Sequence, residues 1–271
     1  MNALRIVSVG ECTVDEYSAG KTECFGGISF NFAVNAKRCG ADAVSLVSAA
    51  GEDHGPAIRQ KLLNEKIDVS HFTIRPGKTA RQRILLSDLG ERVFPPGGYD
   101  PGVLTQLRLN ADDESFINSH NVIAAACFQQ VENLFDQAMR LPFHGWRVAD
   151  FLDLSDFNDR PDIVGAYCDR LTIAFVSGKN AIVDQLQQLS RETECLFVVT
   201  LGAEGSVALA KGERIHERAI SVDRKVDSTG CGDAFQAAFT VSYWRDRNLR
   251  MALQCGTKQA ATVLQHLGAI D

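Results

Sequence analysis

The chain of 271 residues is 45% hydrophobic and 23% charged, which is enough for one large domain with a hydrophobic core. Its net charge of −6 argues against a nucleic-acid-binding protein, because such proteins carry a basic excess. No apolar stretch is long enough to span a membrane, no signal-peptide core precedes the first strand pattern, and the eight cysteines form no CxxC pair, so we expect a cytoplasmic protein with reduced thiols.

The N-terminal part predicts a ligand-facing edge of a sheet. Residues 5–10 form the pattern of a short buried strand, and Asp15 follows shortly after it. Ligands of open α/β sheets bind beyond the carboxyl ends of the strands, although from the residues alone a solvated loop acid is the simpler interpretation of Asp15. Gly26 and Gly27 then precede a helix pattern containing Asn31, which is either a helix N-terminus facing a cavity or a packed junction that Asn31 caps.

A different pattern occupies residues 78–98. Residues 79–86 and 92–94 predict two strands around the turn at 88–91. This hairpin carries a local positive charge, from Lys78, Arg81, Arg83 and Arg92. Alternation places Arg81 and Arg83 on one face, which is either a solvated outer surface or a surface that binds an anionic group of a substrate.

The middle of the chain alternates helix and strand patterns. After an earlier strand at 43–51, strands are predicted at 122–126, 147–153, 171–176 and 196–201. Helices fit between them, and a last helix is predicted at 252–267. Such alternation implies an α/β fold whose mostly parallel sheet has helices on both faces. The strand near 200 turns through Gly202 and Gly205, as a β-hairpin into residues 207–210 does.

The segment 227–233, Asp-Ser-Thr-Gly-Cys-Gly-Asp, runs directly into a helix pattern. A glycine-rich turn at a helix start leaves backbone N–H groups unpaired, and with the helix dipole they form an anion site. Asp233 would repel such an anion unless it acts beside it, for example as a base that takes a proton from an attacking hydroxyl. On these residues alone, Asp233 is equally well explained as a helix cap.

The same segment resembles the signature Asp-Thr-x-Gly-Ala-Gly-Asp of the PfkB/ribokinase-type carbohydrate kinases. Asp227, Gly230, Gly232 and Asp233 match it, and Cys231 stands where alanine is usual. The glycine pair before Asn31 and the Thr-Leu-Gly-x-x-Gly run at 200–205 resemble two further family elements, so the similarity covers nearly the whole chain. No GxxxxGK[ST] loop is present, which excludes a P-loop kinase.

The resemblance implies a ribokinase-like α/β fold, with a single kinase domain over residues 1–271 and a small β lid formed by about 12–25 and 78–98. It implies that Asp233 is the catalytic base and that the amides of Gly230, Cys231 and Gly232 hold the transferred phosphate. It assigns the substrate to Asp15, Gly26, Gly27 and Asn31, to which the cationic lid adds Arg83 and Arg92. It assigns the nucleotide to Thr200, Gly202, Gly205 and Thr257.

The cofactors implied are ATP and Mg²⁺, together with a monovalent cation such as K⁺ at Asp227 and Thr229. The family's Asn-x-x-Glu element, whose acid organises the divalent metal through water, is replaced by Ser177 and Asn180, which puts that contact in doubt. The short chain and modest lid most resemble the fructoselysine (fructosamine) 6-kinase branch, and a homodimer through the lid is expected. Kinases for another ketose, a ketose phosphate or a nucleoside remain alternatives, as does a non-catalytic sugar- or nucleotide-binding protein.

Overall fold

The computed structural model describes residues 3–17 and 22–270. Residues 18–21 of the expected lid, and residues 1, 2 and 271 of the expected domain, lie outside this part. The strands are β1 Arg5–Val9, β2 Thr13–Tyr17, β3 Thr22–Gly26, β4 Ala43–Gly51, β5 Phe72–Arg75, β6 Ala80–Leu86, β7 Arg92–Val93, β8 Tyr99–Asp100, β9 Val122–Ala126, β10 Trp146–Asp150, β11 Ile173–Ser177, β12 Leu196–Thr200, β13 Ser206–Ala210 and β14 Glu213–Glu217.

The α-helices are α1 Ile28–Arg38, α2 Gly55–Asn64, α3 Ala111–Asn118, α4 Glu132–Arg140, α5 Asp162–Gly165, α6 Asn180–Leu189, α7 Cys231–Asp246 and α8 Leu249–Val263. None of the described helices is both long and apolar enough to cross a membrane. The last helix begins and ends a few residues earlier than predicted, as is common for helix boundaries read from sequence.

The main sheet has nine described strands in the order β14-β13-β12-β11-β10-β9-β1-β4-β5. The seven strands from β12 to β5 run parallel, and the hairpin β13–β14 adds two antiparallel strands at one edge. The predicted mostly parallel sheet is confirmed. Because parallel neighbours share a direction, the carboxyl ends of β1, β9, β10 and β11 meet at one edge of the sheet.

Helices cover both faces of the sheet, as predicted. One face packs against α4 and α6, where Phe135 and Leu186 are fully buried. The other face packs against α1, α2, α7 and α8, with Phe30 and Phe239 fully buried. Successive residues of one strand serve the two layers, because Ile6 joins one core and Val7 the other. Each large side chain that is buried in this way contributes about 1.5–3 kcal/mol to stability.

The lid is a second sheet, in the order β3-β2-β6-β7 with β8 paired to β6. Strand β2 pairs antiparallel with β3 and parallel with β6, so the two lid segments of the sequence form one surface. The two strands predicted within 79–94 are found as β6 and β7. Strand β10 ends at Asp150 rather than at 153, because Leu152 has a φ angle of 53°, which an extended strand does not tolerate.

Candidate active site

A cavity of about 320 Å³ lies between the lid and the carboxyl ends of the parallel strands. Its floor comes from the segments that follow β1, β9, β10 and β11 and from the starts of α1 and α7, and its roof comes from β6 and β7. The lining residues include Glu11, Thr13, Asp15, Gly27, Asn31, Gln82, Ile84, Arg92, Phe94, Tyr99, Phe128, Asp150, Asp153, Ser177, Thr229, Gly230, Gly232, Asp233 and Gln236. The structure therefore brings the starts of α1 and α7, which are far apart in the chain, to one space.

The start of α7 has the geometry of an anion site. Gly230 caps the helix with φ 77°, and a Cβ atom there would lie 2.2 Å from the Cβ of Ala269, so only glycine fits. A Cβ on Gly232 would meet nothing within 4 Å, because that position faces open space. The N–H of Cys231 makes only a long hydrogen bond of 3.4 Å to the Ser228 carbonyl. No acceptor is found for the N–H groups of Gly230 and Gly232 within residues 3–17 and 22–270.

Asp233 lies in the first turn of α7 and is buried, with only 8% of its surface exposed. Its Oδ2 accepts a hydrogen bond of 2.7 Å from the Asn31 side chain of α1. Burial raises the pKa of Asp233 to about 7, the bond from Asn31 opposes the rise, and the nearby Asp150 charge adds to it. A carboxylate with a pKa near neutrality is well suited to accept a proton from a hydroxyl and to release it afterwards.

Other polar side chains line the same cavity as Asp233. Asp15 is one of them and is buried, and its Oδ1 accepts a hydrogen bond from Thr13 at 2.7 Å. Burial raises the pKa of Asp15 to about 7, although the Thr13 hydrogen bond opposes that rise. Asn31 Oδ1 is buried without a partner, and an unpaired buried acceptor is costly unless a ligand donates to it.

The glycine pair before α1 has two separate roles. A Cβ on Gly26 would lie 2.2 Å from Asp15 Oδ2, so Gly26 leaves the space that this carboxylate occupies. Gly27 has φ 99° and lines the cavity, and a Cβ there would lie 2.9 Å from the Cys12 Cα. The structure thus places Gly27 in the cavity wall and Gly26 against the Asp15 carboxylate.

Asp227 is fully buried and holds neighbouring segments together. Its oxygens accept hydrogen bonds from Tyr17 of the lid at 2.7 Å, from the Gly268 N–H at 2.9 Å and from the Thr229 N–H at 2.8 Å. Thr229 Oγ1 is buried and has no partner. A monovalent cation here would therefore be served by the Thr229 hydroxyl more readily than by the Asp227 carboxylate, and the cation site stays a prediction.

The lid arginines divide between two faces. Gln82 and Ile84 of β6 line the cavity, so Arg81 and Arg83, which share the other face as predicted, point away from it. Arg83 is exposed and donates to the Gly97 carbonyl at 2.8 Å. Arg83 does not line the cavity, so this geometry gives no support to the predicted contact between Arg83 and a substrate.

The other two lid arginines, Arg81 and Arg92, differ in whether they line the cavity. Arg81 is held by Glu16, by Glu23 at 3.2 Å and by Asp53 at 3.4 Å, all outside the cavity. Arg92 lies in β7 and lines the cavity, where its guanidinium packs 5.2 Å from the Phe94 ring centroid. Arg92 is thus the lid arginine that a ligand can reach.

Three of the four predicted nucleotide residues lie in the β12–β13 hairpin, whose strand β12 pairs with β11. Strands β12 and β13 form the hairpin proposed from sequence, closed by a hydrogen bond of 2.8 Å from the Leu201 N–H to the Gly205 carbonyl. Thr200 bonds to Ser177 through their hydroxyls at 3.0 Å, and Ser177 lines the cavity. Gly202 lies in a short turn, and Thr257 is buried in α8. None of the four predicted residues itself lines the cavity.

Sequence reasoning missed several lining residues. Glu11 lies two residues after the end of β1 and accepts hydrogen bonds from the Tyr99 hydroxyl at 2.7 Å and from the Ile28 N–H at 3.1 Å. Its position at a strand end was a usable signal. Gln236 lies one turn after Asp233 on the same side of α7, which helical spacing also indicates. Tyr99 and Phe128 carried no local signal.

Comparison with known proteins assigns the chain to a family. The profile described as pfkB family carbohydrate kinase matches residues 5–271. The chain belongs to this family. It is a carbohydrate kinase, a class of phosphotransferases that act on sugar hydroxyls, and its fold is ribokinase-like.

Individual relatives cover the chain almost completely. It is 27% identical to a fructoselysine 6-kinase of Shigella flexneri over 97% of this chain and 98% of the relative. It is 26% identical to the fructosamine kinase FrlD of Bacillus subtilis over 98% and 93%. A fructokinase double mutant of Vibrio cholerae, solved with fructose, ADP and a potassium ion, superposes with a TM-score of 0.78 at 19% identity, over 99% of this chain and 94% of that one.

Proposed function

We propose that this pfkB family kinase phosphorylates the 6-hydroxyl of a fructosamine such as fructoselysine, with ATP as the phosphate donor. The similarity to a fructoselysine 6-kinase and to the fructosamine kinase FrlD supports this substrate class. The observation that carries the kinase chemistry is the buried Asp233 carboxylate, which faces the cavity from the first turn of α7 beside amides without an acceptor.

In the proposed reaction the sugar hydroxyl oxygen forms a bond to the γ-phosphorus of ATP, and its proton passes to an Asp233 oxygen. The bond between the γ-phosphorus and the β–γ bridging oxygen breaks, and ADP leaves with that electron pair. The N–H groups of Gly230 and Gly232, and that of Cys231, whose hydrogen bond to Ser228 is long, donate to the oxygens of the transferred group and stabilise its negative charge. Positioning and charge stabilisation supply most of the acceleration in phosphoryl transfer.

The remaining predicted residues position the two substrates. Asp15 and the unpartnered Asn31 Oδ1 would accept hydrogen bonds from sugar hydroxyls above Gly27. Thr200, Gly202, Gly205 and Thr257 would border the nucleotide beyond Ser177. Mg²⁺, when bound, neutralises phosphate charge. No cluster of three or more His, Cys, Asp or Glu in the described ranges suits a metal ion, so the phosphates of ATP would supply most of its ligands.

The test is a coupled ATP-turnover assay with fructoselysine, fructose, fructose 6-phosphate and cytidine. We expect kcat/KM to be highest for fructoselysine. A higher kcat/KM for one of the other three would mean that this compound, and not a fructosamine, represents the substrate class. The absence of turnover with every acceptor would favour a non-catalytic binding protein. Asp233→Asn is the control, because it keeps the shape of the site but cannot accept the proton.

We also propose a homodimer that forms through the lid. The side chains of the lid hairpin expose apolar surface, with Leu89 76% and Val93 50% accessible, and such surface on a small sheet commonly marks an interface. Sedimentation of the wild type and of Leu89→Lys tests this, since a dimer should dissociate in the variant. The proposed location is the cytoplasm, in keeping with the absence of a disulfide among the cysteines, all of which lie in the described ranges.

A further inference from the structure

Arg92 has an unusual electrostatic position. It is the one cation that lines the cavity in the described part of the chain, and the other charged lining residues are carboxylates: Glu11, Asp15, Asp150, Asp153, Asp156 and Asp233. A neutral sugar does not require a nearby cation. A phosphoryl group that is transferred among carboxylates does, because its negative charge is repelled by them. The pKa of Asp233, which burial raises, is pulled back by the positive charge of Arg92, so the two groups act on each other.

The lid holds Arg92 against the start of α7. Its backbone N–H donates to Ser228 Oγ at 3.0 Å, and its guanidinium Nη1 reaches the Ser228 carbonyl at 3.5 Å. The Ser228 N–H in turn donates to the Gly90 carbonyl at 3.1 Å. An ion pair between Lys225 and Glu91 adds a further contact between the lid turn and this segment. Ser228 lies two residues before Gly230, so the docked lid brings the guanidinium next to the glycine loop.

The opposing side of this space is prepared for an anion by two independent features. The N–H groups of Gly230 and Gly232 have no acceptor among the residues described, and they lie at the positive end of α7. Thr229 is only 5% exposed and lines the cavity, and its Oγ1 is buried without a partner. A tetrahedral oxyanion placed there would satisfy this hydroxyl and the amides together, with Arg92 on its lid side.

We propose that Arg92 is a catalytic residue that binds the transferring phosphoryl group, and that docking of the lid turn on Ser228 brings it into place. This inference rests on the proposed kinase reaction and adds a residue to it. In that reaction Arg92 keeps its proton and forms no covalent bond. Its guanidinium stabilises the charge on the phosphoryl oxygens while the hydroxyl–phosphorus bond forms and the β–γ bond breaks. An enzyme whose lid is open lacks this cation and transfers phosphate slowly.

The experiment compares Arg92→Gln and Arg92→Lys with the wild type on two acceptors that differ by one charge, fructoselysine and its decarboxylated analogue, fructosyl-1,5-diaminopentane. We expect Arg92→Gln to lower kcat about 100-fold on both acceptors, as removal of one oxyanion-stabilising donor does elsewhere. Arg92→Lys should keep part of the rate, because it retains the charge but not the planar fork. Arg83→Gln is the matched control from the same lid, and its kcat should equal that of the wild type.

Ser228 provides a second arm. Ser228→Ala removes the acceptor of the Arg92 N–H, and we expect kcat to fall about 3–10-fold, as the loss of one ordinary hydrogen bond of about 1 kcal/mol implies. Ser228→Thr keeps the hydroxyl and should restore kcat. A rise in KM in Ser228→Ala, without a change in kcat, would contradict the docking role.

Two results overturn the inference while leaving the kinase intact. One is an unchanged kcat in Arg92→Gln. The other is a rise in KM for fructoselysine alone, which would show that Arg92 binds the carboxylate of the substrate. If the wild type phosphorylates neither acceptor, the proposed substrate is wrong, but this result does not test Arg92. The role of Arg92 is then tested by the binding affinities for MgATP and MgADP. Arg92→Gln should then bind MgATP more weakly relative to MgADP than the wild type does, and an unchanged ratio would refute the inference.

Discussion

The two sides of the cavity are constructed in different ways. The floor, at the starts of α1 and α7, is fixed by backbone geometry that other residues cannot adopt, as at Gly27 and Gly230. The lid is attached mostly by side-chain contacts, such as Tyr17 to Asp227 and Tyr99 to Glu11, and by ion pairs of Arg81 and Lys225, with one backbone hydrogen bond from the Ser228 N–H to the lid turn. Partly exposed ion pairs contribute only about 0–1 kcal/mol each. The difference suggests a rigid floor that performs the chemistry and a lid that can open.

Asp233→Asn should have the largest effect, because it removes the proton acceptor from the floor. We expect kcat to fall by roughly 10²–10⁴-fold, the usual contribution of a general base. Binding of MgATP, measured by calorimetry, should persist, since the loop around Gly230 is unaltered. Turnover close to that of the wild type would eliminate Asp233 as the base and would make the helix-capping interpretation sufficient.

The pH dependence examines the same carboxylate in the unaltered enzyme. Burial raises the pKa of Asp233 to about 7, and the base must be unprotonated to act, so kcat/KM should fall about tenfold per pH unit below pH 7. Asp15, with a similarly raised pKa of about 7, titrates in the same range. A profile flat from pH 5 to 8 would contradict the raised value.

The raised pKa values of Asp15 and Asp233 affect stability in the opposite direction from activity: activity falls as the pH drops below 7, whereas stability falls as the pH rises through 7. A carboxyl group with a raised folded-state pKa favours folding when it is protonated, so its stabilising contribution is full below the unfolded value near 4 and is lost as pH rises through 7. Asp233→Asn should therefore raise Tm relative to the wild type at pH 8 and change it little at pH 4. Thermal unfolding at both pH values measures this difference, and a lower Tm at pH 8 would indicate a structural role for the charge.

The floor was more predictable from sequence than the lid, for physical reasons. The segment 227–233 specifies its own geometry through Gly230 at positive φ and a helix start, so an anion site was identifiable locally. The role of Asp233 as a base followed from the family resemblance rather than from these residues alone. The link from Asp233 to Asn31 spans 202 residues and follows only from the fold. In the lid, strand alternation showed that Arg81 and Arg83 share a face, but not that Gln82 and Ile84 take the cavity side. Which face turns inward depends on the pairing of β6 with β2, which no local pattern reveals.

Arg81→Ala tests how firmly the lid is attached. Arg81 joins lid strand β2 at Glu16 to Asp53, near the start of α2. Asp53 also accepts from Thr79, and although burial opposes it, these hydrogen bonds lower the pKa of Asp53 to about 2. Loss of the tether should raise KM for the sugar about 3–10-fold with a smaller change in kcat, measured by steady-state kinetics.

Lys78→Ala is the control for Arg81→Ala, since it removes an exposed charge at the entry to the lid. An Arg81→Ala enzyme that loses kcat but keeps KM would contradict the tether and would place Arg81 closer to the chemistry than the structure does. Equal changes in the two variants would mean that only the net charge of the lid matters.

Cys231→Ala should have the smallest effect and defines how the floor works. The side chain of Cys231 does not line the cavity, and burial raises the pKa of its thiol to about 12, so it is neither a nucleophile nor a base at neutral pH. Its expected contribution is the backbone at the start of α7, which alanine supplies equally well and with a better helix propensity. We therefore expect kcat and KM within about twofold of the wild type, and the comparison with Asp233→Asn separates a main-chain role from a side-chain role in the same helical turn. Loss of activity in Cys231→Ala, with an unchanged circular dichroism spectrum, would give the thiol a role of its own and would refute the view that the floor acts through backbone amides and one carboxylate.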